Sequence, residues 1–139
     1  MFERCLYFNV NALARAVNRV WDEAFSAFGL SPAHAYLLRL VLASPGLTPK
    51  QLGAELKLEK STITRFLDAL ETKGFIRRRA GRSGDAREQG IYPTARSERI
   101  EQDLEAAGDG LYRKMTNTLG GSELKSLVRR LREARDRVS

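Results

Sequence analysis

The chain has 139 residues, and 24 Lys and Arg against 17 Asp and Glu leave a net charge of +7. Its sequence pI is near 10.0. A single cysteine, Cys5, excludes an intramolecular disulfide framework and suits a reducing, cytoplasmic compartment. The opening "MFERCLYFNVNALARAV" holds no apolar run long enough for a signal peptide or a membrane span, so a protein with no membrane association is expected.

Apolar residues from Val10 to Phe28 recur at spacings of three and four, among them Leu13, Val17, Val20, Trp21 and Phe25. This predicts an amphipathic helix over residues 9–28. Gly29 suits the position just past its end, and Ser31-Pro32 suits the cap and first position of a second helix, Pro32 to Ala43. That helix is apolar nearly all round and is expected to be buried. Thr48, Pro49 and Gln51 form a capping-box signature for a third helix with Leu52 and Leu56 facing inward.

A fourth helix is predicted from Lys60 to Lys73, with Ile63, Phe66, Leu67 and Leu70 as its apolar stripe and Gly74 closing it. Next come "FIRRR" and "EQGIYP", separated by the turn-rich "AGRSGDAR". They read as a two-stranded β-hairpin with a long loop. Thr94 starts a long helix to about Thr118, with Ile100, Leu104, Ala107, Leu111 and Met115 on one face. Gly108 and Gly110 mark a candidate bend in it. After "GGS", Ser122 is expected to cap a last helix that holds Leu124, Leu127, Val128, Leu131 and Ala134 inside.

The fold class that follows is mainly α with a small β-hairpin. A winged helix-turn-helix at about residues 32–93 is flanked by N-terminal helix 5–28 and C-terminal helices 94–138, all within a single domain 1–139.

The excess charge is local. Lys73, Arg77, Arg78, Arg79, Arg82 and Arg87 face Asp85 alone, a net +5 over residues 73–87. A basic segment beside a helix-turn-helix points to a nucleic-acid partner. The second helix of that motif enters the major groove, and here its leading polar residues are Lys60, Ser61, Thr62, Thr64 and Arg65. Short hydroxyls permit close approach, arginine can pair with guanine in bidentate fashion, and free N–H groups at a helix start favour phosphate. Any one of these side chains also fits a solvated helix face. The combination of capping box, turn, hydroxyl-rich face and basic hairpin is what carries the reading.

The stretch "LTPKQLGAELKLEKSTITRFLDALETKGFIRRR", followed by "GDAR", resembles the MarR family of bacterial transcriptional regulators. The resemblance extends over essentially the whole chain. It implies a homodimer whose N- and C-terminal helices interlock, with one winged helix per subunit on a palindromic operator, acting as a ligand-responsive repressor. Ser61, Thr62, Thr64 and Arg65 match the recognition-helix positions. Asp85 and Arg87 match the Asp-x-Arg of the wing, with Arg87 reaching the minor groove or its phosphates and Asp85 orienting it. Ala86 stands where the family commonly has a second arginine. Arg79 and Arg82 are candidate phosphate contacts.

Other residues carry weaker readings. Trp21, Phe25 and Tyr36, with His34 nearby, would line a pocket for a small aromatic or phenolic effector, although a stripe at helical spacing also fits a core. Cys5 raises the alternative of a redox-responsive regulator. In such relatives the sensing cysteine stands eight residues before a first-helix arginine, and counting from Arg15 places Tyr7 there. A winged helix that binds protein rather than DNA is a further alternative. One histidine and one cysteine make a poor metal site, and neither a cofactor motif nor an enzyme signature is present.

Overall fold

Amphipathic spacing becomes secondary structure throughout the described residues, but full burial concentrates in the middle, which Phe25 and Leu104 join. The computed structural model describes residues 1–80 and 89–139. Helix α1 (Leu6–Phe25) starts three residues before the periodicity predicts. Asn9 Nδ2 donates to the carbonyls of Phe2, Glu3 and Cys5, which holds the first turn where no side-chain cap exists. A 3-10 turn at Ser26–Phe28 ends the segment, and Gly29 follows at φ 68, a left-handed conformation that glycine adopts without a Cβ clash.

Helix α2 (Pro32–Ala43) opens as expected, with Ser31 Oγ accepting from the His34 N–H at 3.2 Å. Its Ala35, Leu37, Leu38 and Val41 are buried, whereas Tyr36 stays 39% exposed. Helix α3 (Pro49–Leu56) begins with the full capping box between Thr48 and Gln51. Lys57 then takes the left-handed region at φ 57, and the Leu58 N–H returns to the Gly53 carbonyl at 2.9 Å. The sequence did not announce this turn, because lysine is an uncommon left-handed residue. Gly53 explains how α3 and α4 (Lys60–Thr72) approach so closely. A Cβ there would lie 3.1 Å from the Leu58 carbonyl oxygen and 3.2 Å from Ile63.

Helix α4 buries Ile63, Leu67 and Leu70 and leaves Phe66 half-buried. It closes on Gly74, at φ 79, whose N–H reaches Glu71 O, while the Phe75 N–H reaches Leu70 O. This is the paired C-terminal arrangement in which the two flanking apolar residues, here Leu70 and Phe75, are buried as well.

Strands β1 (Ile76–Ala80) and β2 (Gln89–Pro93) pair antiparallel, with Ile76 opposite Pro93 and Arg78 opposite Ile91. The hairpin is not an isolated ribbon. Ile91 exchanges backbone hydrogen bonds with the segment before α3, its N–H reaching Leu47 O and its carbonyl receiving the Gly46 N–H. Sequence patterning missed this third partner, because a single bridge leaves no alternation to read.

Helix α5 (Ala95–Leu119) runs unbroken through Gly108 and Gly110. Thr94 and Ser97 bond reciprocally at its start, and Ser97 is fully buried. Leu104 and Leu111 lie inside. The chain divides into two compact units, residues 1–105 and 106–139, so the division falls within α5.

Helix α6 (Gly121–Val138) corrects two expectations. Its cap is Gly120, at φ 91, and not Ser122, which sits within the first turn without capping. Only Gly120 separates the two helices, and the break between them is made by its positive φ, which glycine adopts without a Cβ clash. Nor is the α6 stripe inside: no α6 residue is buried, and Val128 and Leu131 are more than two-fifths exposed. The same holds for the first half of α1, where Val10 and Leu13 are exposed. Among the described residues no layer covers these faces.

Candidate nucleic-acid interface

The first turns of α4 present what a groove-binding helix needs. Lys60, Ser61, Thr64 and Arg65 are exposed and Thr62 is half-exposed, on the side away from buried Ile63, Leu67 and Leu70. The buried side chains anchor the helix from behind, and fully burying each is worth about 1.5–3 kcal/mol. Thr64 Oγ1 donates to the Lys60 carbonyl at 2.9 Å, which holds the hydroxyl against the helix with its lone pairs outward. Glu59 occupies the cap position without a side-chain hydrogen bond to the helix, so no side chain fills the N–H groups of the first turn. They face the same way as the positive end of the helix dipole.

The hairpin divides its arginines by strand alternation. Ile76 is buried and Arg78 half-buried on one face of β1, whereas Arg77 and Arg79 are exposed on the other. Arg79 lies over the Tyr92 ring at 3.8 Å, a contact that orders its guanidinium while leaving the donors free at the edge. Arg78 takes a different course. Its Nη2 donates to Asp68 Oδ1 at 2.6 Å, and its Nε lies 3.5 Å from Glu71 Oε1, both acids belonging to α4. Arg82, Asp85 and Arg87 fall within residues 81–88, outside the described residues.

Two further cations secure the far end of α4. Lys73 Nζ donates to Gly29 O at 2.8 Å, which ties the helix to the turn after α1. Arg96, near the start of α5, donates to the Lys73 carbonyl and covers the Phe75 ring at 4.5 Å. Cations at this end suit the negative pole of the helix. Sequence reasoning missed Arg78 and Arg96. For Arg78 a signal existed: it shares strand parity with apolar Ile76, and Asp68 and Glu71 stand one helical turn apart.

The residues expected to surround an effector separate into two places. Trp21 Nε1 donates to Tyr36 Oη at 3.1 Å, and the Phe25 ring meets Tyr36 edge-on at 5.9 Å, so these three are together. Phe25 is fully buried and belongs to the core. Arg39 lies over Tyr36 and pairs with Glu105 through two hydrogen bonds of 2.9 and 3.0 Å. Those bonds hold the Glu105 carboxyl below its ordinary 4.5. His34 instead meets Phe66 of α4 edge-on at 4.7 Å. Burial pushes its imidazole below the ordinary 6.5, and nearby Lys73 adds to the shift.

Cys5 is half-buried and free at the start of α1, its carbonyl accepting from Asn9. Among the described residues no group of three acidic, histidine or cysteine side chains is placed to hold a metal ion. Likewise no single helix among them is long and apolar enough to cross a membrane.

A family model described as "MarR family" matches residues 28–88, the segment that spans α2, α3, α4 and the start of the hairpin. The chain is 28% identical over 101 residues to the HTH-type transcriptional regulator YwoH of Bacillus subtilis, covering 73% of this chain and 72% of that protein. It is 29% identical over 142 residues to the HTH-type transcriptional regulator TtmR of Methylorubrum extorquens, covering 96% of this chain and 67% of that one. In three dimensions it superposes on MepR of S. aureus, solved as a DNA complex, with a TM-score of 0.84. That match covers 99% of this chain and 100% of the other at 17% identity.

Proposed function

We propose that the chain is a MarR-family transcriptional regulator that binds a palindromic operator as a homodimer and is released by a small ligand, a reading supported by the family model over residues 28–88 and by the two curated relatives. The observation that carries this reading is the exposed start of α4. Lys60, Ser61, Thr64 and Arg65 stand free beside an uncapped helix N-terminus, and the basic hairpin emerges from the other end of the same helix. Each protomer would lay α4 in a major groove. Arg65 would reach a base edge, the hydroxyls would meet phosphates or bases, and Arg79, with Arg82 and Arg87, would meet the backbone. Asp85 would orient Arg87 by a charge-assisted bond.

The uncovered apolar stripes of α1 and α6 support the dimer. Two copies that shared them would bury Val10, Leu13, Val128 and Leu131, and a palindromic operator would need their two α4 helices about 34 Å apart. Repression then follows from occupancy of the operator, and relief from a ligand that binds the DNA-incompetent arrangement better. Trp21 and Tyr36, hydrogen-bonded across α1 and α2, are the proposed effector contacts for a small aromatic or phenolic compound.

The test is fluorescence anisotropy on a duplex selected by the protein from a random pool, measured across a salt series. Tight binding that weakens steeply with salt is expected. Arg65→Ala is expected to change which sequences are selected. Failure to enrich any sequence would sink the reading.

A further inference from the structure

We propose that Arg78 is a positioning residue for DNA binding: it touches no DNA, and its bridge to Asp68 and Glu71 sets where the hairpin stands relative to the recognition helix. The inference rests on the DNA-binding reading above and assigns a role to the one strand arginine that faces away from solvent.

Three neighbouring cations, Arg77, Arg78 and Arg79, look alike in the sequence, yet strand parity sends only Arg78 toward α4. Its side chain is 24% exposed, against 64% for Asp68 and 46% for Glu71, so the guanidinium is the shielded member of the cluster. Nε is fully enclosed and has no hydrogen-bond partner in good geometry among the described residues, with Glu71 Oε1 at 3.5 Å as its compensating charge. A guanidinium spent this way is not presented to a phosphate. What it does instead is geometric. Asp68 and Glu71 are the only acids of α4, and they lie three residues apart on one helix face. A planar fork between them pins β1 in both translation and rotation about the helix.

A second consequence is electrostatic. Asp68 and Glu71 would otherwise stand as two exposed carboxylates on the helix that approaches DNA. Arg78 offsets them where they are, which leaves the hairpin's other arginines to act on phosphate.

The experiment compares wild type, Arg78→Met, the pair Asp68→Asn with Glu71→Gln, and the triple variant, each on the selected duplex. If Arg78 acts through the two acids, Arg78→Met weakens binding about tenfold in the wild-type background and about threefold or less in the Asn/Gln background. The slope of log affinity against log salt stays unchanged. A direct phosphate contact predicts the opposite pattern: equal losses in both backgrounds and a slope smaller by about one. That pattern overturns the proposal, as does unaltered affinity in Arg78→Met. Thermal melts followed by circular dichroism confine the comparison to folded protein. Arg78→Lys, which keeps the charge but not the fork, is expected to recover about half of the lost binding on a logarithmic scale; full recovery argues against a geometric role. If wild-type protein enriches no duplex, the DNA-binding reading fails and this one with it, whereas a binding wild type with additive losses removes only Arg78.

Discussion

The centre of the chain and its ends are written in the same amphipathic code and meet different fates. From α2 to β2 the apolar positions close on each other: Leu37, Leu38, Val41, Leu52, Leu67, Leu70 and Ile91 are all fully buried. Along α1 the stripe contributes only Phe25 to the core, and along α6 it contributes nothing. Both kinds of helix form, because formation needs only local pattern and satisfied ends. Covering the apolar face needs a second layer, which the short α3, the hairpin and α2 provide for α4 but which the terminal helices lack. The contrast is between a middle that covers its own apolar faces, with Phe25 and Leu104 joining them, and ends whose faces stay exposed.

Four changes break or sharpen that contrast. The largest effect is expected for Leu67→Ala, which hollows the core behind α4. Urea denaturation should show a loss of about 3 kcal/mol; a loss well under 1 kcal/mol would mean that the centre does not carry the stability assigned to it here. Next is the double change Val128→Asp with Leu131→Asp on α6. It should weaken self-association by about 2 kcal/mol or more, so that light scattering reports half the wild-type mass at micromolar protein while the helical signal persists. An unchanged mass would show that the α6 stripe is not the dimer surface.

Smaller is Thr48→Ala, which removes the capping box of α3 within the lobe and should cost about 1 kcal/mol in the same denaturation assay. The capping hydrogen bonds are 2.9 and 3.2 Å, and no measurable cost would mean that they are not maintained in solution.

Smallest is the Arg39–Glu105 pair. Glu105 has its folded pKa below the ordinary 4.5, so its contribution is present above that value and is lost as pH falls through the lower folded one. Because Glu105 is about half exposed, screening limits the contribution to below about 1 kcal/mol. Wild type and Glu105→Gln should therefore differ slightly at pH 7 and less at pH 3, as the pH falls toward and through the lowered folded pKa. A gap of the same size at both values would rule out the ion pair as its cause.

Much of the site was legible because it depends on local rules. The caps at Ser31 and Thr48, the glycine stop at Gly74 and the polar start of α4 are each decided within a few residues, and each stands where the pattern places it. The misreadings were of a different kind. Ser122 has a capping residue's chemistry, but the cap is Gly120, one residue before the helix begins. The left-handed Lys57 was invisible because its conformation is imposed by the closure of α3 on α4. His34 was grouped with Trp21 and Tyr36 for its place near the start of the second helix, and the ring contact it makes is with Phe66 of α4.

What the amino-acid order determined by itself is therefore the list of helices, the hairpin, the cap chemistry and a concentration of positive charge near residue 78. These follow from 3.6- and 2-residue periodicities and from side chains bonding to their own backbone. Only the tertiary structure decided which arginine does what. In the run Arg77–Arg78–Arg79 the residue type is constant, and the difference arises from the side of β1 that faces Asp68 and Glu71. The tertiary structure also decided that the apolar faces of the first half of α1 and of α6 stay exposed, because covering depends on layers brought from elsewhere, and none among the described residues reaches them.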